Sequence, residues 1–397
     1  MTEPAYTPIR RALEVFGVFL RLGLTSFGGP IAHLGYFRRA FVEQRRWLDD
    51  TRYAQLLALC QFLPGPASSQ LGFALGLQRA GWLGGLAAFI GFTLPSALLM
   101  FAFAAWAPYL QGRIGEAVLH GLKLVAVVVV AQGVLGMWRT LAPDAPRRGM
   151  AVATAVLLLW QPHAWLQWLA VATAALAGQW LCRGVPTMPA GDTGVAYGRR
   201  TGASLLLAYV LVLVMALLVG ADGSPLARTV AALARAGALV FGGGHVVLPL
   251  LKQSLVTPGL IDEGSFLAGY GAAQALPGPM FSLAAFLGAH VGGAMGAAAG
   301  LVALFLPGLL LVAGVLPWWQ TLAAREGAVC MIAGINAAVV GLLAAAFWDP
   351  VWRGAVRAPL DIAIVALGLL LMMRVRWPAW AIVVYCVAAA VGAAAFT

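Results

Sequence analysis

Apolar residues run along this chain in about a dozen stretches, separated by short loops that hold most of its arginines. Residues 82 to 106 and 116 to 138 are unbroken and predict two spanning helices, since a crossing takes roughly 20 apolar residues. Residues 203 to 220 predict a third, single crossing. Other stretches are interrupted. Residues 12 to 34 break at Gly28-Gly29-Pro30, with Arg10 and Arg11 before them and Arg38, Arg39, Arg45 and Arg46 after. The same positive-inside signal at both ends predicts a re-entrant pair of half-helices turning at the glycines. Residues 53 to 79 break at Pro64-Gly65-Pro66, where the prolines remove backbone donors and the glycine lifts the steric restriction. That leaves two pieces of about eleven residues, each roughly 16 Å long and too short to span. The loops 139 to 149 and 183 to 200 are basic, and between them lies a hairpin with its tip at Gln161-Pro162-His163.

The Pro-Gly-Pro break occurs twice, at Pro64-Gly65-Pro66 and at Pro277-Gly278-Pro279, an offset of 213. Other landmarks fall in step: Phe27-Gly28-Gly29 with Phe241-Gly242-Gly243, Gln61 with Gln274, and Leu94-Pro95 with Leu306-Pro307. Offsets that drift only from 214 to 212 across the repeat predict internal duplication. The expected organisation is a first transmembrane repeat over 1–183, a linker and connecting helix over 184–220, and a second repeat over 221–397. A lone connecting crossing turns the second repeat upside down. The charges agree: loop 35 to 52 contains five arginines, whereas its counterpart 249 to 263 has Lys252 beside Asp262 and Glu263. Neutral Gln161-Pro162-His163 likewise corresponds to Arg374-Val375-Arg376. Loop 349 to 359, with Arg353 and Arg357, dissents. The fold expected is all-α: a polytopic membrane protein of two inverted-topology repeats with re-entrant, broken helices. That architecture belongs to secondary transporters, whose breaks meet near the bilayer midplane at the substrate. Channels and membrane-embedded lipid carriers also use re-entrant helices.

Composition removes the soluble classes. Of 397 residues, 62% are hydrophobic and 10% charged, with a mean hydropathy of +0.89. The formal charge of +11 sits in loops beside apolar segments, as orientation signals do, so nucleic acid is not an expected partner and the lipid bilayer is. Cys60, Cys182, Cys330 and Cys386 lie scattered in apolar stretches and read as packing residues, neither disulfide-bonded nor zinc-binding. No removable signal peptide is read at the N-terminus.

Each break leaves the first N–H groups of the following half-helix unpaired, and their partial positive charge suits an anion. The candidate cradles are Ala67, Ser68 and Ser69, and Met280, Phe281 and Ser282. Gly28, Gly29, Gly65, Gly242, Gly243, Gly244 and Gly278 would let a ligand approach the backbone. The plainer alternative is that these residues only kink helices for packing. Thr25, Ser26, His33, Gln61, Gln70, His245, Gln274 and Ser282 add polar side chains beside the breaks. His33 and His245 can bind an oxyanion or titrate, or each is a satisfied structural group. Lys123, deep in a span, either lends charge to an anion path or snorkels to the interface; its counterpart at offset 213 is Asn336. Glu14 and Arg21, seven apart, are expected to compensate each other. Apart from Glu14 no carboxylate lies deep in an apolar segment, which argues against a proton-driven cation carrier. No metal-ligand spacing, catalytic partner for a histidine or cofactor motif is found, so no metal, cofactor or catalytic residue is expected. A membrane-embedded enzyme or lipid-phosphate carrier is the rival class.

Ser26-Phe27-Gly28-Gly29-Pro30 with Gln61-Phe62-Leu63-Pro64-Gly65-Pro66, and Val240-Phe241-Gly242-Gly243-Gly244 with Gln274-Ala275-Leu276-Pro277-Gly278-Pro279, resemble the chromate ion transporter family. Covering both halves, the resemblance implies the long two-domain form. It implies a bacterial inner-membrane protein that exports chromate, confers chromate resistance and meets sulfate as a competitor. The second copy has Gly244 where Pro30 stands and lacks the arginine cluster, so equal contributions from the halves do not follow. Backbone donors bind any tetrahedral oxyanion, and the residues leave energy coupling, direction and oligomeric state open.

Overall fold

A computed structural model describes residues 7–110, 112–161, 164–185, 196–220, 222–241, 246–323 and 325–396. These are helical, and no strand occurs among the described residues. The first part holds α1 (Pro8–Thr25), α2 (Gly29–Arg38), α3 (Asp50–Phe62), α4 (Ala67–Trp106), α5 (Gly112–Leu141), α6 (Ala145–Trp160) and α7 (Ala164–Leu181). Helix α8 (Arg199–Leu218) follows alone. The rest comprises α9 (Pro225–Leu239), α10 (Val247–Leu251), α11 (Glu263–Ala275), α12 (Leu283–Val315), α13 (Trp319–Ala323), α14 (Glu326–Ala346), α15 (Arg353–Ala355), α16 (Pro359–Leu370) and α17 (Ala379–Phe396). Asp49 and Asp262, 213 residues apart, cap α3 and α11 by accepting the N–H of Arg52 and of Ser265, both at 2.7 Å. Such a cap stabilises its helix by about 1 kcal/mol.

The two longest helices fold back on themselves. Residues eight apart on a straight helix are about 12 Å apart. Yet a Cβ built on Gly76 would lie 2.3 Å from the carbonyl oxygen of Gly84, and one on Gly84 2.2 Å from that of Gly76. The chain reverses at Ala80-Gly81, where Gly81 takes φ +63°. Helix α12 does the same at Gly292-Gly293, φ +57° at Gly293, with Gly288 and Gly296 in the same reciprocal approach at 2.1 Å. Each therefore joins a short arm to a crossing helix, in α4 at the boundary the hydrophobic pattern expected between 79 and 82. The chain also doubles back between α1 and α2, since Phe19 stacks on Phe41 at 5.0 Å and meets Phe37 edge-on at 5.5 Å. Among the described residues, five helical stretches are long and apolar enough to cross a membrane: Ala67–Tyr109, Gly112–Leu141, Arg199–Leu218, Met280–Leu322 and Glu326–Ala355. The protein is a polytopic, all-helical membrane protein.

The halves exchange their terminal hairpins. Helices α6 and α7 pack on α14, and α16 and α17 pack on α5. The crossings correspond: Gly334 meets the carbonyl of Ala174 on α7, and its counterpart Gly121 meets Val387 on α17, at offsets of 213. Small residues at these points let backbones touch, which is how helices associate where lipid offers no hydrophobic drive. Helix α8 packs on α9 and α12 and leaves Leu207, Leu211, Met215 and Leu218 exposed, as lipid-facing residues are. The four cysteines are free and buried.

One expectation about charge changes. Glu14 pairs with Arg79 at 3.4 Å and Arg45 at 4.0 Å rather than with Arg21, because α1 packs along α4 and brings its Glu14 end to the end of α4's first arm. In the dissenting basic loop, Asp349 binds Arg353 at 3.3 Å and also the ammonium of Lys252. The hairpin tip residues Pro162 and His163, and most of the linker, lie outside the described residues.

Candidate functional site

The site is built from the two Pro-Gly-Pro breaks. Gly65 takes φ +128° and Gly278 φ +91°, conformations that L side chains resist. Each glycine N–H reaches into the other half of the chain. Gly65 N–H donates to the carbonyl of Val240 at 2.7 Å, and Gly278 N–H donates to the carbonyl of Ser26 at 3.0 Å. Ser26 and Val240 each stand just before a Phe-Gly-Gly, so the two bonds are one bond repeated. Side-chain packing repeats as well. A Cβ on Gly65 would lie 3.2 Å from Gly308 Cα, and one on Gly278 2.9 Å from Ser96 Oγ, positions that correspond at an offset of 212. The four breaks the sequence singled out thus meet as two cross-linked pairs, although Gly242, Gly243, Gly244 and His245 themselves lie outside the described residues.

Around the Ser26–Gly278 junction, His33 Nε2 donates to the Ser26 carbonyl at 3.2 Å, which fixes a proton on that nitrogen. Its ring stands edge-on to Phe92 at 5.2 Å, and Ser96 Oγ donates to the Thr93 carbonyl at 3.0 Å. Gly28 is exposed with φ +102°, and beside Gly29 there is open space. At the Gly65 junction, Gln70 folds back so that Nε2 donates to the carbonyls of Pro64 at 2.9 Å and Gly308 at 3.1 Å. Five fully buried polar atoms here have no hydrogen-bond partner among the described residues: Ser26 Oγ, His33 Nδ1, Ser69 Oγ, Gln70 Oε1 and Thr93 Oγ1. Burying a polar atom unpaired costs about 1–3 kcal/mol, and these atoms fall at both junctions, those of Ser26, His33 and Thr93 around Gly278 and those of Ser69 and Gln70 in the arm that follows Gly65.

The two cradles differ. In the first, Pro66 is an N-cap without a side-chain bond, Gln70 N–H is the first to find an acceptor in Pro66, and the N–H groups of Ala67, Ser68 and Ser69 have no partner among the described residues. In the second, Met280–Ser282 tighten into one 3₁₀ turn, Ser282 N–H is taken by the Pro279 carbonyl at 3.0 Å, and Gln274 Nε2 is spent on Met280 Sδ. Gln61 is exposed rather than turned onto the break. Lys123 is not brought to the breaks either. Its ammonium lies over the first turn of α11, 2.9 Å from where a Gly264 Cβ would be, and the thirteen residues of α11 put Gly278 about 20 Å away. Asn336 Oδ1 is a buried atom of α14 without a partner among the described residues. Sequence reasoning missed Thr93, Ser96 and Gly308, for which the repeated Leu-Pro at 94–95 and 306–307 was the available signal.

Catalytic or metal chemistry finds little material. Among the described residues no three of His, Cys, Asp and Glu gather as a metal site. His120 meets Asp361 at 2.8 Å, but Asp361 is engaged in capping α16 through the N–H groups of Arg357 and Ala358. What the paired breaks can do is donate hydrogen bonds to an oxyanion.

The family described as "Chromate transporter" matches the chain twice, over residues 13–179 and 227–393. Those windows are 214 apart and repeat the internal duplication. The chain is 30% identical over 375 residues to a chromate transport protein of Pseudomonas aeruginosa, covering 90% of this chain and 85% of that one. It is 28% identical to a probable chromate transport protein of Synechococcus elongatus, over 87% of this chain and 84% of that one. A chromate transport protein of Cupriavidus metallidurans is 27% identical, over 94% and 90%. No solved structure matches the chain.

Proposed function

The chain belongs to the chromate transporter family, and from that premise we propose that it is a secondary transporter that exports chromate across the bacterial inner membrane and so confers chromate resistance. The observation that carries the reading is the reciprocal bond pair, Gly65 to Val240 and Gly278 to Ser26. It joins four helix breaks as two reciprocal pairs within an apolar helical body. There the partial positive ends of half-helices act at low dielectric, where each is worth more than in water.

The mechanism follows from what such a site lacks. Chromate has no hydrophobic surface to bury, so its desolvation has to be offset by preorganised donors, and backbone N–H groups with serine and threonine hydroxyls supply them without a fixed full charge. Alternating access then comes from rocking one repeat on the other about the cross-linked breaks. The proposed units are 1–183, the connecting segment 184–220 and an inverted second repeat over 221–397. The contact between Lys252 and Asp349 favours this inversion, because it joins the two loops that the inverted arrangement assigns to the outer side.

The test is chromate uptake by inside-out vesicles carrying the protein, with sulfate, phosphate and molybdate as competitors. Saturable uptake absent from control vesicles, inhibited by sulfate as a tetrahedral dianion of similar size, is the expected result. Chromate uptake no faster than in controls would overturn the proposal, and sulfate transported with chromate excluded would replace it with a different oxyanion carrier.

A further inference from the structure

The two halves share a backbone plan but not a lining. The five unpartnered atoms belong to Ser26, His33, Ser69, Gln70 and Thr93. At an offset of 214 beside Phe-Gly-Gly, 213 after Pro-Gly-Pro and 212 beside Leu-Pro, their counterparts are Val240, Val247, Ser282, Leu283 and Phe305, of which Ser282 alone has a polar side chain, while His245, two residues before Val247, lies outside the described residues. The difference is sharpest at one pair of positions. Phe281 and Phe305 meet edge-on with ring centroids 6.3 Å apart, and Phe305 also packs edge-on against Phe89 at 5.1 Å. The corresponding residues of the first repeat are Ser68 and Thr93, both buried. The cradles differ by one donor in the same sense: the N–H groups of 67–69 are all open, whereas in the 3₁₀ turn at Met280–Ser282 the N–H of Ser282 is taken by the Pro279 carbonyl.

We propose that the oxyanion is held on one side of the paired breaks alone, by the hydroxyls of Ser26, Ser69 and Thr93 and the N–H groups at 67–69, while Phe281 and Phe305 close the equivalent second-repeat position. Duplication produced two copies of the break, and the second became the apolar wall on which the first is mounted. The hydroxyls donate to the anion. His33 Nδ1 and Gln70 Oε1 are acceptors and suit an ordered water or the hydroxyl of a protonated oxyanion. A single site also fits the energetics, since two tetrahedral dianions side by side at low dielectric repel strongly. This inference rests on the oxyanion reading above and specifies which residues serve it.

The experiment exchanges the two linings and measures chromate binding directly on purified, monodisperse protein, with sulfate as a second probe. Thr93→Val, which removes one hydroxyl at nearly constant shape, is expected to weaken binding about tenfold or more, the range for a lost hydrogen bond to a charged group. Thr93→Phe, which copies the second repeat, is expected to abolish binding. Phe305→Leu is expected to bind within about twofold of wild type at a stoichiometry of one. Should Thr93→Phe fail to fold, Thr93→Val and Ser26→Ala carry the same prediction. Wild-type affinity in Thr93→Val and Ser26→Ala, or a loss in Phe305→Leu equal to theirs, overturns the one-sided site. Wild-type protein that binds neither anion overturns the oxyanion reading itself.

Discussion

Gly65 gives its backbone N–H to the carbonyl of Val240 at 2.7 Å, which ties the first Pro-Gly-Pro break to the residue before the second Phe-Gly-Gly. The same bond runs from Gly278 to Ser26. Neither repeat can hold its break in this form alone, because each supplies the acceptor the other needs. A break that lost its partner would leave a buried N–H unpaired, at about 1–3 kcal/mol.

Inverted topology predicts that reporters at Arg46 and Thr257 react from opposite sides of the membrane. The four native cysteines are buried, so a single introduced cysteine at either position gives little background labelling. Labelling of intact and inside-out vesicles with an impermeant maleimide measures it. Reaction of both reporters from one side would rule the inversion out.

The fold-back glycines predict a graded stability series. Gly76→Val and Gly288→Val drive a side chain into a facing backbone carbonyl, with even the Cβ only 2.1–2.3 Å away, and are expected to cost about 3 kcal/mol or more, or to prevent folding. Gly81→Ala has open space around it and suffers only from φ +63°, at about 1–2 kcal/mol. Thermal midpoints and monodisperse yield in detergent separate the two classes, and equal loss in both would contradict the back-to-back arms.

Lys123 is expected to matter little to affinity. Its place over the first turn of α11, near Asp262 and about 20 Å along that helix from Gly278, supports the interfacial reading over the binding one. Lys123→Met should bind chromate within about twofold of wild type. A tenfold loss in the folded variant would return the lysine to the anion path.

The breaks were legible in the sequence because proline and glycine act locally, on their own φ and on their own missing donors. So was the boundary between the short arm and the crossing helix near Gly81, where a loop signal interrupts the apolar run. The partners of the breaks were not, because the acceptors at Ser26 and Val240 come from tertiary contact between halves some two hundred residues apart. Gln61 and Gln70 show the limit well. Both are glutamines beside a break, but helical side chains tilt toward the helix N-terminus. Gln70, in the first turn of the arm after the break, therefore turns back onto it, and Gln61, in the last turn of α3, is carried away. Thr93 was hidden for a different reason: a threonine in a spanning helix reads as an ordinary packing residue until its neighbours are known.

The paired-break site is tested most directly by chromate affinity in Gly65→Val and Gly278→Val, measured on purified, monodisperse protein. Valine resists φ +128° and φ +91° and would meet Gln70 Nε2 at 2.6 Å or Ser96 Oγ at 2.9 Å, yet it adds no charge and leaves each segment apolar. Each variant should shift its break and lose at least one hydrogen bond to the anion, about 1.5–3 kcal/mol, or tenfold to over a hundredfold in affinity. Wild-type affinity in both folded variants would contradict the site and reduce the breaks to kinks that only pack helices.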